Sequence, residues 1–217
     1  MYLSRPALIP LSISALAFIL GATKLFKKNS PLYFKLLICS AGCFMLQQFS
    51  LVINLWCDIN EMFSIGMIGT FGCNMFLLSA NYDTVDKIID DGSNSKKYNY
   101  LAYIAPIILS ILIVLSFISW KDSDLLYAII WVILLLPSLP GSYYNLKHIL
   151  LPMDSANLLK AIRPCDICTL FYYLFTALFV IISPYSLIGE IITVLLISLS
   201  ILSLSIFAIK GARKWKI

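Results

Sequence analysis

The stretch best equipped for chemistry is NYDTVDKIIDD, residues 81–91, where four aspartates close a strongly apolar run. Asp83, Asp86 and Asp90 read DxxDxxxD. On a continuing helix those spacings stack three carboxylates on one face. Such a face suits Mg²⁺, which takes a few carboxylates and completes its shell with substrate phosphates and water. Lys35, Lys147, Lys160 and Arg163 could meet the phosphates. A second candidate chemistry is thiol-based. Cys165 and Cys168 form a CxxC just after Pro164, at an expected helix start where the dipole favours a thiolate. Cys39 and Cys43 lie four apart and share a helical face. His148 is the sole histidine, so an HExxH zinc site and a histidine-rich metal cluster are excluded.

The aspartate spacing resembles the first aspartate motif of the membrane prenyltransferases. That resemblance implies Mg²⁺ bridging a diphosphate at a cytoplasmic helix end, with Asp83, Asp86 and Asp90 as its ligands. The second half has no matching motif, since Asp154 and Asp166 lack the spacing. The same four aspartates also read as the wet extension of a membrane helix that ends at Gly92, with GSNS as its loop and Lys87, Lys96 and Lys97 balancing the charge. On that reading at least two carboxylates are fully solvated and hold no ordered divalent ion. The cysteines have a plain reading too, as small hydrophobes in membrane helices. A cytoplasmic CxxC is kept reduced.

The elements that must position these residues follow from composition. Hydrophobic residues make up 60% of 217 positions and charged residues 12%, with a mean hydropathy of +0.91. Soluble domains carry roughly 25% charged residues. This is therefore a multi-pass integral membrane protein of the plasma or cytoplasmic membrane, with residues 1–217 as one domain. Apolar stretches of about 20 residues, enough to cross about 30 Å of hydrocarbon, fall at 6–26, 32–56, 62–82, 98–119, 124–146, 161–183 and 186–209. All are expected to be helices, because lipid tolerates no unsatisfied backbone. The fold class is an all-α bundle of seven transmembrane helices. Its fifth helix is expected to be irregular at Pro137–Gly141, where two prolines and a glycine crowd together.

Basic residues set the orientation. Fourteen of the 16 lysines and arginines fall on alternate connections and the C-terminal tail; Arg5 and Lys121 are the two on the other face. The positive-inside rule puts the N-terminus outside and the C-terminus in the cytoplasm. The first apolar run has more positive charge after it than before it, the order of a retained helix rather than a signal peptide. A net charge of +5 points to anionic lipid headgroups as partners. It gives no reason to expect nucleic acid.

Several chemistries are absent from the pattern. There is no GxSxG, P-loop or GxGxxG, and no cofactor is expected. Residues 186–209 contain no lysine, which excludes a retinal Schiff base at mid-helix. Segments 30–43 and 155–168 share Ser, Lys and a final Cys at equal offsets, a hint of related halves.

What remains is polar content inside the bilayer, where its expense makes function the default reading. Gln47, Gln48 and Asn54 lie on the second helix, and Asn74 and Asn81 on one face of the third, beside Gly66, Gly69 and Gly72. With Tyr144, after the proline break, Gln47, Asn54, Asn74 and Asn81 form the candidate ligand-binding set. The same groups would also serve as interhelical glue. The leading function is small-molecule binding or transport through this seam, without enzymatic chemistry. The alternatives are a receptor-like sensor working through a separate output protein that meets loop 83–97, and a Mg²⁺-dependent enzyme acting on a lipid diphosphate. The threading is testable. An alkaline phosphatase fusion after Ile217 is expected to be inactive and a cytoplasmic reporter there active, and the reverse pattern overturns the orientation.

Overall fold

A computed structural model of the chain describes residues 4–27, 30–57, 65–84, 96–151 and 156–215, with the side chains of 4–7, 65, 83–84, 96–97 and 156–158 outside the description. Among the described residues the elements are helices throughout: α1 (Ser4–Leu25), α2 (Leu32–Trp56), α3 (Ile65–Thr84), α4 (Lys96–Ala102), α5 (Ile104–Trp120), α6 (Leu125–Leu135), α7 (Ser138–Leu150), α8 (Ala156–Ile182) and α9 (Leu187–Lys214). Among the described residues, six stretches are long and apolar enough to cross a membrane. They are Leu8–Leu25, Leu32–Trp56, Tyr98–Trp120 (α4 with α5), Leu125–Leu150 (α6 with α7), Leu159–Ile182 and Leu187–Lys214. α3, with 20 residues, is a further long helix whose asparagines, Asn74 and Asn81, dilute its hydropathy.

The outside of the bundle is as apolar as its inside. Ile104, Ile107, Ile108, Ile111, Val114 and Ile118 form an exposed face along α5. In water so large a patch would drive aggregation; against lipid it costs nothing. The helices fit a membrane bundle for this reason. α2 packs on α1, α3 and α9, while α8 packs on α9, α7 and α5, and α1 lies against α9.

Contacts between helix ends define the two ends of the bundle. The start of α2, the end of α7, the third turn of α8 and the residue after α9 meet through Tyr33, His148, Asp166 and Trp215. At the opposite end the Trp120 indole, where α5 stops, donates to the Val180 carbonyl of α8 at 2.8 Å and packs on Tyr127 of α6. Short connections there are capped by side chains: Asp124 accepts from the Tyr127 amide at 2.9 Å and Ser186 from the Gly189 amide at 3.1 Å, each satisfying a first-turn donor. Lys24, Lys35, Lys147, Arg163, Arg213 and Lys214 belong to the first end and Lys121 to the second.

The helices depart from the expected spans where prolines allow it. The fifth span breaks at Leu136 and Pro137, between α6 and α7. Pro140 and Gly141 sit inside α7, the proline in its first turn, where the missing N–H would have no partner anyway. The fourth span breaks at Tyr103, with Pro106 likewise in the first turn of α5. The sixth span starts earlier than expected. α8 runs through Pro164, because Leu159, Ala161 and Ile162 before the proline are all buried and their packing outweighs one lost backbone bond.

Close helix approach depends on glycine. A Cβ on Gly69 of α3 would lie 2.7 Å from the Cys43 carbonyl and 2.9 Å from Gln47 of α2. A Cβ on Gly211 of α9 would lie 2.7 Å from the Ala161 carbonyl of α8 and 2.7 Å from the Phe34 ring. Neither backbone carbonyl can rotate away. Gly69→Val is expected to destabilise the protein by about 1–3 kcal/mol through overpacking, read as a lower thermal midpoint in lipid nanodiscs. The neighbouring exposed Ile68→Val is expected to leave the midpoint unchanged. Equal midpoints for the two variants would show that α2 and α3 separate freely.

Candidate functional site

Three groups of polar side chains lie inside the bundle, and they differ in what their atoms are already doing. The first is ionisable. Asp166 and His148 are both 0% exposed, and the carboxylate Oδ2 lies 3.5 Å from the imidazole Nδ1. The Tyr33 hydroxyl donates to Asp166 Oδ1 at 3.3 Å. Arg163, one turn before Asp166 on α8, donates from Nε to the His148 carbonyl at 3.3 Å and from its guanidinium to the Leu151 carbonyl. Those carbonyls belong to the last turn of α7 and to the residue that follows it, where a helix has no donors of its own, so the arginine caps α7. Trp215 stacks on Tyr33 at 6.2 Å between ring centroids and closes the cluster. Sequence reading missed this site. Treating Asp166 only as an acid without motif spacing hid it, although a lone histidine and an aspartate within apolar runs were the available signal.

The second group is amide-based and sits between α3 and the broken span. Asn74 Nδ2 donates to the Leu134 carbonyl at 2.8 Å, and Ser138 Oγ donates to the Leu135 carbonyl at 2.6 Å. Both carbonyls lie at the α6–α7 break. Asn81 Nδ2 donates to Asn145 Oδ1 of α7. Gly141 lets α7 close onto α8, since a Cβ there would strike the Tyr173 hydroxyl.

The third group lines a cleft between α2, α6, α8 and α9. Its walls include Phe44, Gln47, Gln48, Trp131, Tyr172, Thr176 and Glu190, around a cavity of about 60 Å³. That volume holds several waters. Two of these residues carry a polar atom with no hydrogen-bond partner among the described residues, Gln47 Oε1 and Gln48 Oε1; the Trp131 indole faces the Tyr127 hydroxyl and the Tyr172 hydroxyl faces Cys73. Gln48 is 4% exposed, so bulk water does not serve it.

The candidate ligand set is thus divided. Gln47 lines the cleft. Asn74 turns away to the α6–α7 break and Asn81 to Asn145 within α7, and Asn54 is not among the residues that line the cleft. Tyr144 lines a separate shallow groove with Leu78, Ser79, Tyr82 and Pro140, its ring 5.7 Å from that of Tyr82. Of the aspartates, Asp83 lies in the last turn of α3 with its side chain outside the description, and Asp86, Asp90 and Asp91 lie outside the described residues. Among the described residues no three His, Cys, Asp or Glu side chains gather as a metal site. The CxxC is a correction. Because α8 begins at Ala156, Cys165 and Cys168 lie in its third and fourth turns, beyond the first turn where the dipole acts. Both are buried free thiols.

No protein-family model, no curated protein and no solved structure matches the chain.

The amide pair can be apportioned by a double-mutant cycle. Asn81→Ala and Asn145→Ala each leave one buried amide without its partner, an expected cost of about 1–3 kcal/mol. Together they are expected to cost less than the sum, with a coupling of about 0.6–1.7 kcal/mol, the range seen for hydrogen bonds between membrane helices. Additive losses in thermal unfolding would show that the two amides act separately.

Proposed function

We propose that the chain is a seven-span protein of the cytoplasmic membrane, N-terminus outside and C-terminus inside, which binds and carries a small polar molecule through the cleft between α2, α6, α8 and α9. One observation carries this reading: two glutamine side chains lining one cavity in an apolar bundle keep their amide oxygens unmatched. Each such atom costs about 1–3 kcal/mol when buried alone, so a guest that satisfies both at once is strongly favoured. The open atoms are two amide oxygens, with the Glu190 carboxylate at the same wall. These acceptors suit a compact molecule that donates N–H groups, such as a primary amide or an amino compound. The aromatic walls, Phe44, Trp131 and Phe179, would cover its apolar part. The basic end of the bundle suits contact with anionic headgroups, and loop 83–97 could meet a protein partner.

The test is thermal unfolding in nanodiscs against a panel of primary amides, small amines and amino acids, using wild type and Gln48→Leu. A ligand at 100 times its Kd adds about 2.7 kcal/mol, equivalent to a Tm rise of roughly 5–10 °C for a chain of this size. At least one class is expected to raise the wild-type midpoint by that order and to leave Gln48→Leu unmoved. A panel without effect on wild type, or an equal rise in the variant, would sink the reading.

A further inference from the structure

We infer that His148, Asp166 and Tyr33 form a proton-binding site at the end of the bundle where α2, α7 and α8 meet. The inference does not depend on the cleft. It rests on two fully buried ionisable side chains in contact, on a third group directed at them, and on an open nitrogen. His148 Nε2, on the far side of the imidazole from Asp166, has no hydrogen-bond partner among the described residues.

Burial makes the charge state of this cluster matter. Two charges in a low-dielectric interior recover their desolvation cost only with good geometry and further hydrogen bonds. Here the geometry is loose. The contacts to Asp166 measure 3.5 Å and 3.3 Å, longer than the about 2.7–2.9 Å of a strong charge-assisted bond. A pair kept only for stability would gain from tighter contacts or from apolar replacement. A pair that must accept and release a proton needs two states of similar energy, and loose contacts serve that. The groups that face Asp166 are Tyr33 from α2, His148 from α7, and Arg163, Cys165, Cys168 and Tyr173 on α8. Arg163 supplies the fixed positive charge, committed by hydrogen bonds to the end of α7. The empty state is then a neutral imidazole with the carboxylate balanced by Arg163. The loaded state adds one proton, taken from water, to the imidazole–carboxylate pair. The Tyr33 O–H keeps its proton in both and remains the donor to Oδ1. Because the pair joins α7 to α8, and Tyr33 joins α2 to α8, gain of the proton changes how these three helices hold one another.

The chain is suited to a direct test, since His148 is the only histidine. Histidine-selective ¹⁵N labelling of the full chain, purified with a histidine-free tag in nanodiscs, gives NMR signals from one imidazole. Across about pH 5 to 8, the interval in which histidine changes charge, wild type is expected to show one reversible protonation step. In Asp166→Asn that step is expected to move by about one pH unit or more, the scale set by a contacting charge. Tyr33→Phe keeps the ring and its stacking on Trp215 and removes only the hydroxyl; it is expected to move the step as well. It also carries the test if Asp166→Asn fails to fold. A constant imidazole signal in folded wild type overturns the inference, as does a step that neither substitution displaces. A purely structural role would change the thermal midpoint of the variants and leave no such step to displace.

Discussion

A backbone carbonyl that loses its helical partner inside a membrane bundle must find another donor within the protein, and much of this architecture is arranged around that need. Pro137 interrupts the longest composite span, and Asn74 reaches across from α3 to the freed Leu134 carbonyl. α7 stops at Leu150, and Arg163 takes the His148 and Leu151 carbonyls. α8 stops at Ile182, and the Trp120 indole takes Val180. Each donor comes from a helix other than the one it serves. The breaks and ends therefore act as docking points between helices, where lipid would otherwise leave them to packing alone.

This division explains why polar residues that look alike in sequence do different things. Asn74 lies at the depth of a proline break, so its amide N–H₂ is consumed there. Gln47 and Gln48 lie opposite unbroken stretches of α6, α8 and α9, whose backbone N–H groups are already committed within their helices. Their oxygens find no donor among the described residues, and neither do the side-chain oxygens of Asn74 and Asn81. Serines and threonines largely drop out of the account, because they bond back to their own helix, as Ser198 does to the Val194 carbonyl and Thr176 to that of Tyr172.

The helical class, the apolar spans and the proline break were legible in the sequence, because each depends on local composition. The glycines were legible in part: Gly69 and Gly72 do admit α2, against Cys43 and Gln47. Which asparagine meets which partner was not, since Asn81 and Asn145 are 64 residues apart and only the packed bundle selects them. Tyr33 and Asp166 are 133 apart, and nothing in either neighbourhood marks the other. The start of α8 was misread because Pro164 looks like a helix opener, whereas burial of the residues before it carries the helix through. That one shift moved Cys165 and Cys168 from an expected helix start into the body of α8.

α8 then holds a particular position in the molecule. Its first half carries Arg163 and Asp166, and its second half carries Tyr172 and Thr176 of the cleft. Tyr173, seven residues after Asp166 and so on the same face, fills the space between, held against Gly141 of α7. Beyond Pro164 the helix is continuous, so Asp166 cannot move without carrying Tyr172 and Thr176. A change in how Asp166 meets His148 would therefore shift the wall of the cleft through packed side chains, with no need for a separate relay. Pro164 sits at the one place in α8 where a backbone bond is missing, immediately before the ionisable cluster, and that is where such a helix bends most easily.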